Sequence, residues 1–438
     1  MERAQQQESY GHRLAVRRMR PPIILANSSY LGTLAAARSL GRAGIKVIAA
    51  DPSAWSRTRF SRHTAQSVKC PQFEHTSEWI DWLVSLGQRG PRCAVYATSD
   101  AVSFALARHK DEIVKYFDVY QPDIETILNV LDKKRLLQCA HDAGLGAPTT
   151  WLPKSAQEAG QIAADLGGLL LIKPRSQLAY RHMTKAQIVD ANPMAVRDLF
   201  TKFEEDAALD SEFLRLVPDA KFPMIQRFYP TSIGAVYSLS GFRDESGRTV
   251  FRAARKTLQI PLQTGTGICF EPVELEREVI ERTELLCDRI GYYGVFELEF
   301  IRGDQDLMLI DFNGRFYGQM AYDIGRGMDL PRLAYEAATG STGDFERVFA
   351  ESSKSDEPHS VGYCYGLEIN LTGRLRRILA TISEEERRQW QQSPNDKFKV
   401  VVDAVADPTD PMPGVFDTLH YLIRAIRHPR SFIYGLMQ

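Results

Sequence analysis

The segment from Leu307 to Gln319, LMLIDFNGRFYGQ, runs from four apolar residues into Asp311, Asn313 and Arg315 at alternate positions. Side chains alternate faces along a strand, so these three share one face. Upstream, VFELEF does the same with Glu297 and Glu299 and sets Phe296, Leu298 and Phe300 on the other face. If the two runs pair through a turn at 302–306, several acids converge beside an amide and an arginine. Such a cluster repels itself unless cations sit in it. Carboxylate and amide oxygens suit hard divalent cations, and Mg2+ typically takes one or two carboxylates plus substrate phosphates. Arg315 would add a planar, permanently charged donor for a phosphoryl or carboxylate group. The plainer alternative is a solvated hairpin carrying ordinary surface charges.

The elements that must position these residues read as α/β. PPIILANSSYLGTLAAARSLGRAGIKVIAAD (21–51) is an apolar run, a polar turn, a helical stretch with Leu34, Ala37 and Leu40, a stop at Gly44 and a second apolar run. That is a βαβ unit and implies a parallel sheet. AVYA (94–97), followed by Thr98, Ser99 and Asp100, is a further strand whose carboxyl end opens onto a loop, where α/β sheets bind ligands. LDKKRLLQCAHDAGL reads as a helix ending at Gly144, and LLLIK as a strand ending at Lys173 before a basic loop and a second strand-like run. MIQRF, AVYSLSG and TVFRAARKTLQIP are β-type, the last two joined by a turn at 244–247. ELEREVIERTELLCDRIG is helical, with Leu275, Val279, Leu286 and Ile290 on one face. A charged, serine-rich linker, ESSKSDEPHS, opens a tail with short strands and a closing helix near DTLHYLIRAIRHP.

Composition narrows the function classes. With 438 residues, 44% hydrophobic, 25% charged and a net charge of −1, the chain reads as an ordinary globular protein of several structural units. That balance argues against a general nucleic-acid or membrane-surface role, since both use a basic excess. The first twenty residues are polar and arginine-rich without the apolar core of a secretory signal, and are expected to be a disordered tail. No window reaches the apolar length of a membrane span. Six scattered cysteines, with no CxxC and no zinc-type spacing, indicate free thiols in a reducing cytoplasmic setting.

On LMLIDFNGRF and the acid twelve positions before Asp311, the sequence resembles the ATP-grasp superfamily, and within it the carboxylate–amine ligase-like proteins. The resemblance covers roughly residues 22–340. It implies an α/β ATP-grasp fold with a disordered tail (1–20), an N-terminal Rossmann-like pre-ATP-grasp domain (21–125), a first ATP-grasp part with a lid (126–230), an antiparallel core with the metal site (231–345) and a C-terminal extension (346–438). It implies ATP and Mg2+ (or Mn2+) as cofactors. Glu299, Asp311 and Asn313 then match metal ligands, with Glu297 as fallback, and Arg315 the residue steadying the transferred phosphate. Lys133, with Lys134 as near alternative, and Lys173 match the nucleotide-binding lysines. Gln226, Arg227 and Phe228 match the adenine hinge, and Arg255 and Lys256 a basic phosphate contact.

The implied reaction joins a small-molecule carboxylate to an amine, an amino acid among them, through an acyl phosphate. No nucleic-acid or membrane partner is expected, and a homodimer is left open. Thr98, Ser99, Asp100, Asp51 and residues 317–323 stand as candidates for the acceptor side. Two departures from the family pattern stand out. Asp311 occupies a position where glutamate is usual, and the loop after Lys173, PRSQLAYRHMTKAQ, has no glycine; Arg175, Arg181 and Lys185 could replace backbone phosphate contacts there. The rivals are a carboxylase or carbamoyl-phosphate type enzyme, a non-catalytic ATP-binding regulatory protein, and a nicotinamide-dependent dehydrogenase. The dehydrogenase is disfavoured because ANSSYLG is not GxGxxG.

Overall fold

A computed structural model describes residues 20–182, 186–209, 211–230, 233–261, 264–303, 307–354, 361–378, 397–430 and 432. The expected disordered tail therefore lies outside the described residues except for Arg20.

The N-terminal layer is a five-stranded parallel sheet of β1 (Ile23–Leu25), β2 (Val47–Asp51), β3 (Thr64–Lys69), β4 (Cys93–Val95) and β5 (Phe117–Val119), in the order β3-β2-β1-β4-β5. The expected βαβ unit is its centre. Strand β1 is buried throughout, and the helix Leu31–Arg42 turns Leu34, Ala36, Ala37 and Leu40 inward. That helix starts against the chain that follows the acidic hairpin. A side chain at Gly32 would put its first carbon 2.4 Å from the Tyr317 carbonyl oxygen, so glycine permits the close approach.

A four-stranded antiparallel sheet follows, β6 (Thr150–Trp151), β7 (Leu169–Lys173), β8 (Gln187–Asp190) and β9 (Met224–Arg227), ordered β6-β9-β7-β8. The helices Ala156–Leu166 and Pro193–Asp206 cover it through Ala159, Ala163, Val196, Phe200 and Phe203. Each starts at a side-chain cap, Ser155 accepting from the Glu158 amide and Asn192 from those of Met194 and Ala195.

The largest sheet has seven strands: β10 (Val236–Arg243), β11 (Thr249–Ile260), β12 (Thr266–Pro272), β13 (Gly294–Arg302), β14 (Leu307–Asn313), β15 (Val361–Cys364) and β16 (Val400–Asp403), ordered β14-β13-β10-β11-β12-β15-β16. All its pairings are antiparallel except β15 with β16. Strand β10 is buried at every residue, as a central strand should be. The last two strands come from beyond residue 345, so the tail of the chain completes this sheet. Residues 351–352, expected as linker, close the helix Thr342–Ser352, and 355–360 lie outside the described residues. The helix after β12 spans Arg277–Ile290 with Val279, Leu286 and Ile290 buried. Leu275 precedes its first turn and is exposed, which corrects its expected place on the buried face.

The first and third layers share a core. Ile24, Val95 and Leu106 pack in one cluster with Phe242, Val295, Phe316, Leu333 and Tyr335. The carboxyl ends of the parallel strands thereby face the acid-bearing hairpin.

Candidate active site

The hairpin of β13 and β14 has the expected register. Glu299 stands opposite Asp311 and Glu297 opposite Asn313, with an irregularity just beyond Glu299. The turn residues 304–306 of that hairpin lie outside the described residues. Its acidic face closes one side of a cavity of about 370 Å3 whose other walls come from β7, β9, β11 and the start of the helix Lys133–Asp142. Of the residues matched to metal, nucleotide and phosphate contacts, Glu297, Glu299, Asp311, Asn313, Arg315, Lys133, Lys173, Gln226, Arg227, Phe228 and Lys256 line this cavity, and Arg255 and the alternative Lys134 do not.

Arg255 is a correction. Alternation along β11 sends it to the face opposite Lys256, where it is exposed and ion-paired with Glu271. Lys256 is buried and its Nζ donates to Glu299 Oε1 at 2.7 Å. A similar choice falls out for the paired lysines. Asp132 caps the helix through the Lys134 amide; Lys133, the first helical residue, donates to Asp311 Oδ1 at 2.6 Å. Lys134 points away to Asp219 at 2.9 Å.

Lys173, at the end of β7, reaches the same floor, with its Nζ 3.5 Å from the Ile310 carbonyl oxygen. Burial, then the neighbouring Lys133 charge, pulls its pKa down to about 8, although Asp311 and Glu299 oppose the shift. Burial works against ionising Asp311 too, but Lys133, Lys173 and Arg315 together hold it below the usual carboxylate range. Three lysines thus converge on two facing carboxylates. That is an arrangement of compensated charge which an incoming polyphosphate with its cation can take over.

Glu297 is different. It is buried, accepts from Asn313 Nδ2 at 2.7 Å and Gln319 Nε2 at 3.0 Å, and also from Ser238. Burial first, and Glu299 second, push its carboxyl pKa upward. The Asn313 amide bridges, with its Oδ1 accepting from Arg315 at 2.8 Å. Arg315 also donates to Asp100 Oδ1 at 2.5 Å and lies over the Tyr30 ring at 5.8 Å. Burial disfavours its charge, yet Asp100 and the other acids raise its pKa above the usual arginine value.

At the opposite end the cavity is apolar, walled by Pro148, Leu171, Val236, Ile301 and Ile310. Gln226 is buried there and donates from Nε2 to Thr150 Oγ1 at 2.7 Å. The Phe228 amide donates to the Leu169 carbonyl at 3.1 Å, so that N–H is committed to the sheet.

Sequence reasoning missed Tyr30 as a wall residue, along with Thr264 and Gly265 before β12 and Thr266 and Gly267 at its start. The TGTG string was visible as a glycine-bearing turn, and it brings glycine to a cavity whose other loop has none. Of the charges suggested for that other loop, Arg175 is spent elsewhere. It is buried and forks onto Asp132 at 2.9 and 2.6 Å, with a third contact to Asp219 at 3.0 Å. Arg181 is exposed and off the cavity wall, and Lys185 lies outside the described residues. On the acceptor side, Asp100, Tyr317 and Gln319 line the cavity. Ser99 caps its helix, Asp51 accepts from Ser28 and the Ser29 amide, and the buried Thr98 hydroxyl is unpartnered.

The donor set fits a hard divalent cation in one specific way. Glu299 and Asp311 offer facing carboxylates, while among the described residues no three of His, Cys, Asp and Glu gather as a metal-binding group. A cation here would draw its remaining ligands from phosphates and water, as Mg2+ commonly does.

No protein-family model matches the chain, and no curated protein matches it in sequence. Solved structures do match. The biotin carboxylase domain dimer of Hydrogenobacter thermophilus 2-oxoglutarate carboxylase, in complex with MgADP, ADP and bicarbonate, superposes with a TM-score of 0.56 at 16% identity, over 73% of this chain and 69% of that one. N5-carboxyaminoimidazole synthetase from Staphylococcus aureus gives 0.53 at 16%, over 72% and 77%. L-amino acid ligase from Bacillus licheniformis gives 0.52 at 15%, over 74% of each. At these identities the likeness shows the fold, and the chain has the ATP-grasp fold expected from its sequence.

Proposed function

We propose that this protein is an ATP-dependent carboxylate–amine ligase that forms an amide or peptide-like bond through an acyl phosphate, releasing ADP and phosphate. The observation that carries the reading is the convergence of Lys133, Lys173 and Lys256 on the facing carboxylates of Asp311 and Glu299, inside one cavity with an apolar end. The names of the structural neighbours support it: one is an amino acid ligase, and another was determined with MgADP.

The apolar end takes the purine, with Gln226 and the main chain at Arg227 as its polar edge. Lys133 and Lys173 meet the phosphates, and Lys256 keeps Glu299 oriented. Glu299 and Asp311 would hold Mg2+, which when bound supplies charge neutralisation on the β- and γ-phosphates. Asn313, whose Oδ1 accepts from Arg315, would offer the further oxygen available to that cation. A substrate carboxylate oxygen attacks the γ-phosphorus as the bridging bond to ADP breaks. The amine nitrogen then attacks the acyl carbon, the carbon–oxygen bond to phosphate breaks, and the amine loses a proton. Arg315, pre-charged and aimed by Asp100 and Tyr30, steadies the phosphoryl oxygens through both steps. The acceptor side lies between Tyr30, Asp100, Tyr317 and Gln319, where the parallel sheet meets the hairpin.

A second reading, carboxylation, is favoured by the bicarbonate in one neighbour's complex. Trapping separates the two. With ATP, Mg2+, hydroxylamine and pooled carboxylic acids, a ligase yields a hydroxamate detectable by mass spectrometry. ADP formation that requires bicarbonate and yields no hydroxamate supports carboxylation instead, and nucleotide binding with neither product supports a regulatory protein.

A further inference from the structure

Among the described residues, the helix Met412–Arg427 stands apart in what it leaves uncovered. Val415, Leu419, Leu422, Ile423 and Ile426 are 47–79% exposed, and Met412 beside them is 51% exposed. At the turn angle of an α-helix they fall on one stripe about 100° wide. The helix is held by its other side and mainly by its first half. Pro413 and Asp417 are buried, Phe416 stacks on Phe60 at 4.7 Å, and Asp417 is paired with Arg57 at 2.6 Å and bonded to Tyr365. Beside the stripe stands Trp55, 69% exposed and stacked over Phe416 at 6.3 Å.

The charge on this feature has one sign. Arg424, Arg427, His428 and Arg430 are exposed along the second half of the helix and just beyond it, while the helix's single acid, Asp417, is buried and neutralised. An apolar stripe with an indole beside it, Arg427 at its flank and Arg424 and Arg430 near the helix's end is the arrangement of a helix lying in a bilayer interface, where arginine stems lie along apolar surface and the guanidinium groups meet lipid phosphates. A second copy of the chain fits less well. Pairing two such helices antiparallel would set each arginine-rich end against the other's first half, where the acids are buried: Asp410 and Asp417 already hold Arg38 and Arg57. The arginines would find no carboxylate there. No helix among the described residues is long and apolar enough to cross a membrane, so the contact is with a surface.

We propose that the Met412–Arg427 helix, with Trp55 at its side, docks this protein on an anionic phospholipid surface. The proposal departs from the expectation of no membrane partner, which rested on the chain's overall charge.

The test is flotation of the full-length protein with phosphatidylcholine vesicles containing about 30% phosphatidylserine, against phosphatidylcholine alone. Binding to the anionic vesicles is expected, weakened at high salt. It should fall by at least about tenfold in the Leu422→Glu/Ile426→Glu double variant, whose exposed positions leave folding intact. An Arg424→Gln/Arg427→Gln variant keeps the stripe and should lose the preference for anionic lipid. A blue shift of tryptophan emission on vesicle binding, reduced in Trp55→Phe, would place the indole in the interface. Three results overturn the proposal: no flotation on anionic vesicles, flotation unchanged by both double variants, or a concentration-dependent dimer in light scattering that the glutamate variant dissolves. The last would make the stripe a contact between two copies.

Discussion

Lys173 is a charge in a place that discourages it, and that makes it testable by pH. It is buried at the end of β7 with Lys133 as a like-charged neighbour, and its pKa is pulled down to about 8. The sign follows directly. The ammonium is present below about 8 and lost above it, whereas nucleotide phosphates stay ionised across this range. If the ammonium is needed for ATP, affinity is greatest near neutrality and falls as pH rises. For a group with a pKa of about 8, the protonated fraction drops about tenfold between pH 7 and pH 9, so the association constant should drop by about the same factor. Isothermal titration calorimetry with ATP and Mg2+ at pH 7, 8 and 9 measures this, and repeating pH 9 in buffers of different ionisation enthalpy should reveal proton uptake on binding. Lys173→Arg keeps the charge at every pH and should flatten the profile. An affinity that is flat from pH 7 to 9, or that falls identically in Lys173→Arg, would refute the reasoning.

Strand alternation predicts opposite fates for adjacent residues. Lys256→Ala should weaken ATP binding by at least about tenfold by freeing the half-buried Glu299 carboxylate, while Arg255→Ala should leave it within about twofold, because its partner contact is half exposed and off the cavity; calorimetry reads both. Arg175→Ala should cost about 3–5 kcal/mol of stability by stranding the fully buried Asp132, seen as a lowered denaturant midpoint, whereas Arg181→Ala should have no comparable effect.

The most legible part of the site was the hairpin, because two short alternating runs with one turn between them admit few registers, and the pairing of Glu299 with Asp311 followed from counting. What counting could not decide was which face of a long strand meets the ligand. Arg255 and Lys256 are neighbours in sequence, and only the folded sheet, which sets Lys256 beside Glu299 and Arg255 beside Glu271, says that lysine points in. The same holds for Lys133 and Lys134, where a single cap at Asp132 determines which lysine opens the helix toward Asp311. Arg175 looked like a phosphate contact because its partners, the buried Asp132 and the partly exposed Asp219, lie 43 and 44 residues away in the chain. The final two strands are four residues each and pair with one another in parallel, a connection that short runs do not announce. The capped helices over the four-stranded sheet were, by contrast, readable from Ser155 and from Asn192 with Pro193, and were passed over.

The central claim is that this cavity turns over ATP on a carboxylate, and ADP release tests it most directly. The purified protein would be assayed with ATP and Mg2+, with and without pooled amino acids and small carboxylic acids, beside Asp311→Asn. The account predicts ADP that depends on the pool and falls by about a hundredfold or more in the variant. ADP release that is independent of the pool, or that survives Asp311→Asn unchanged, would contradict it.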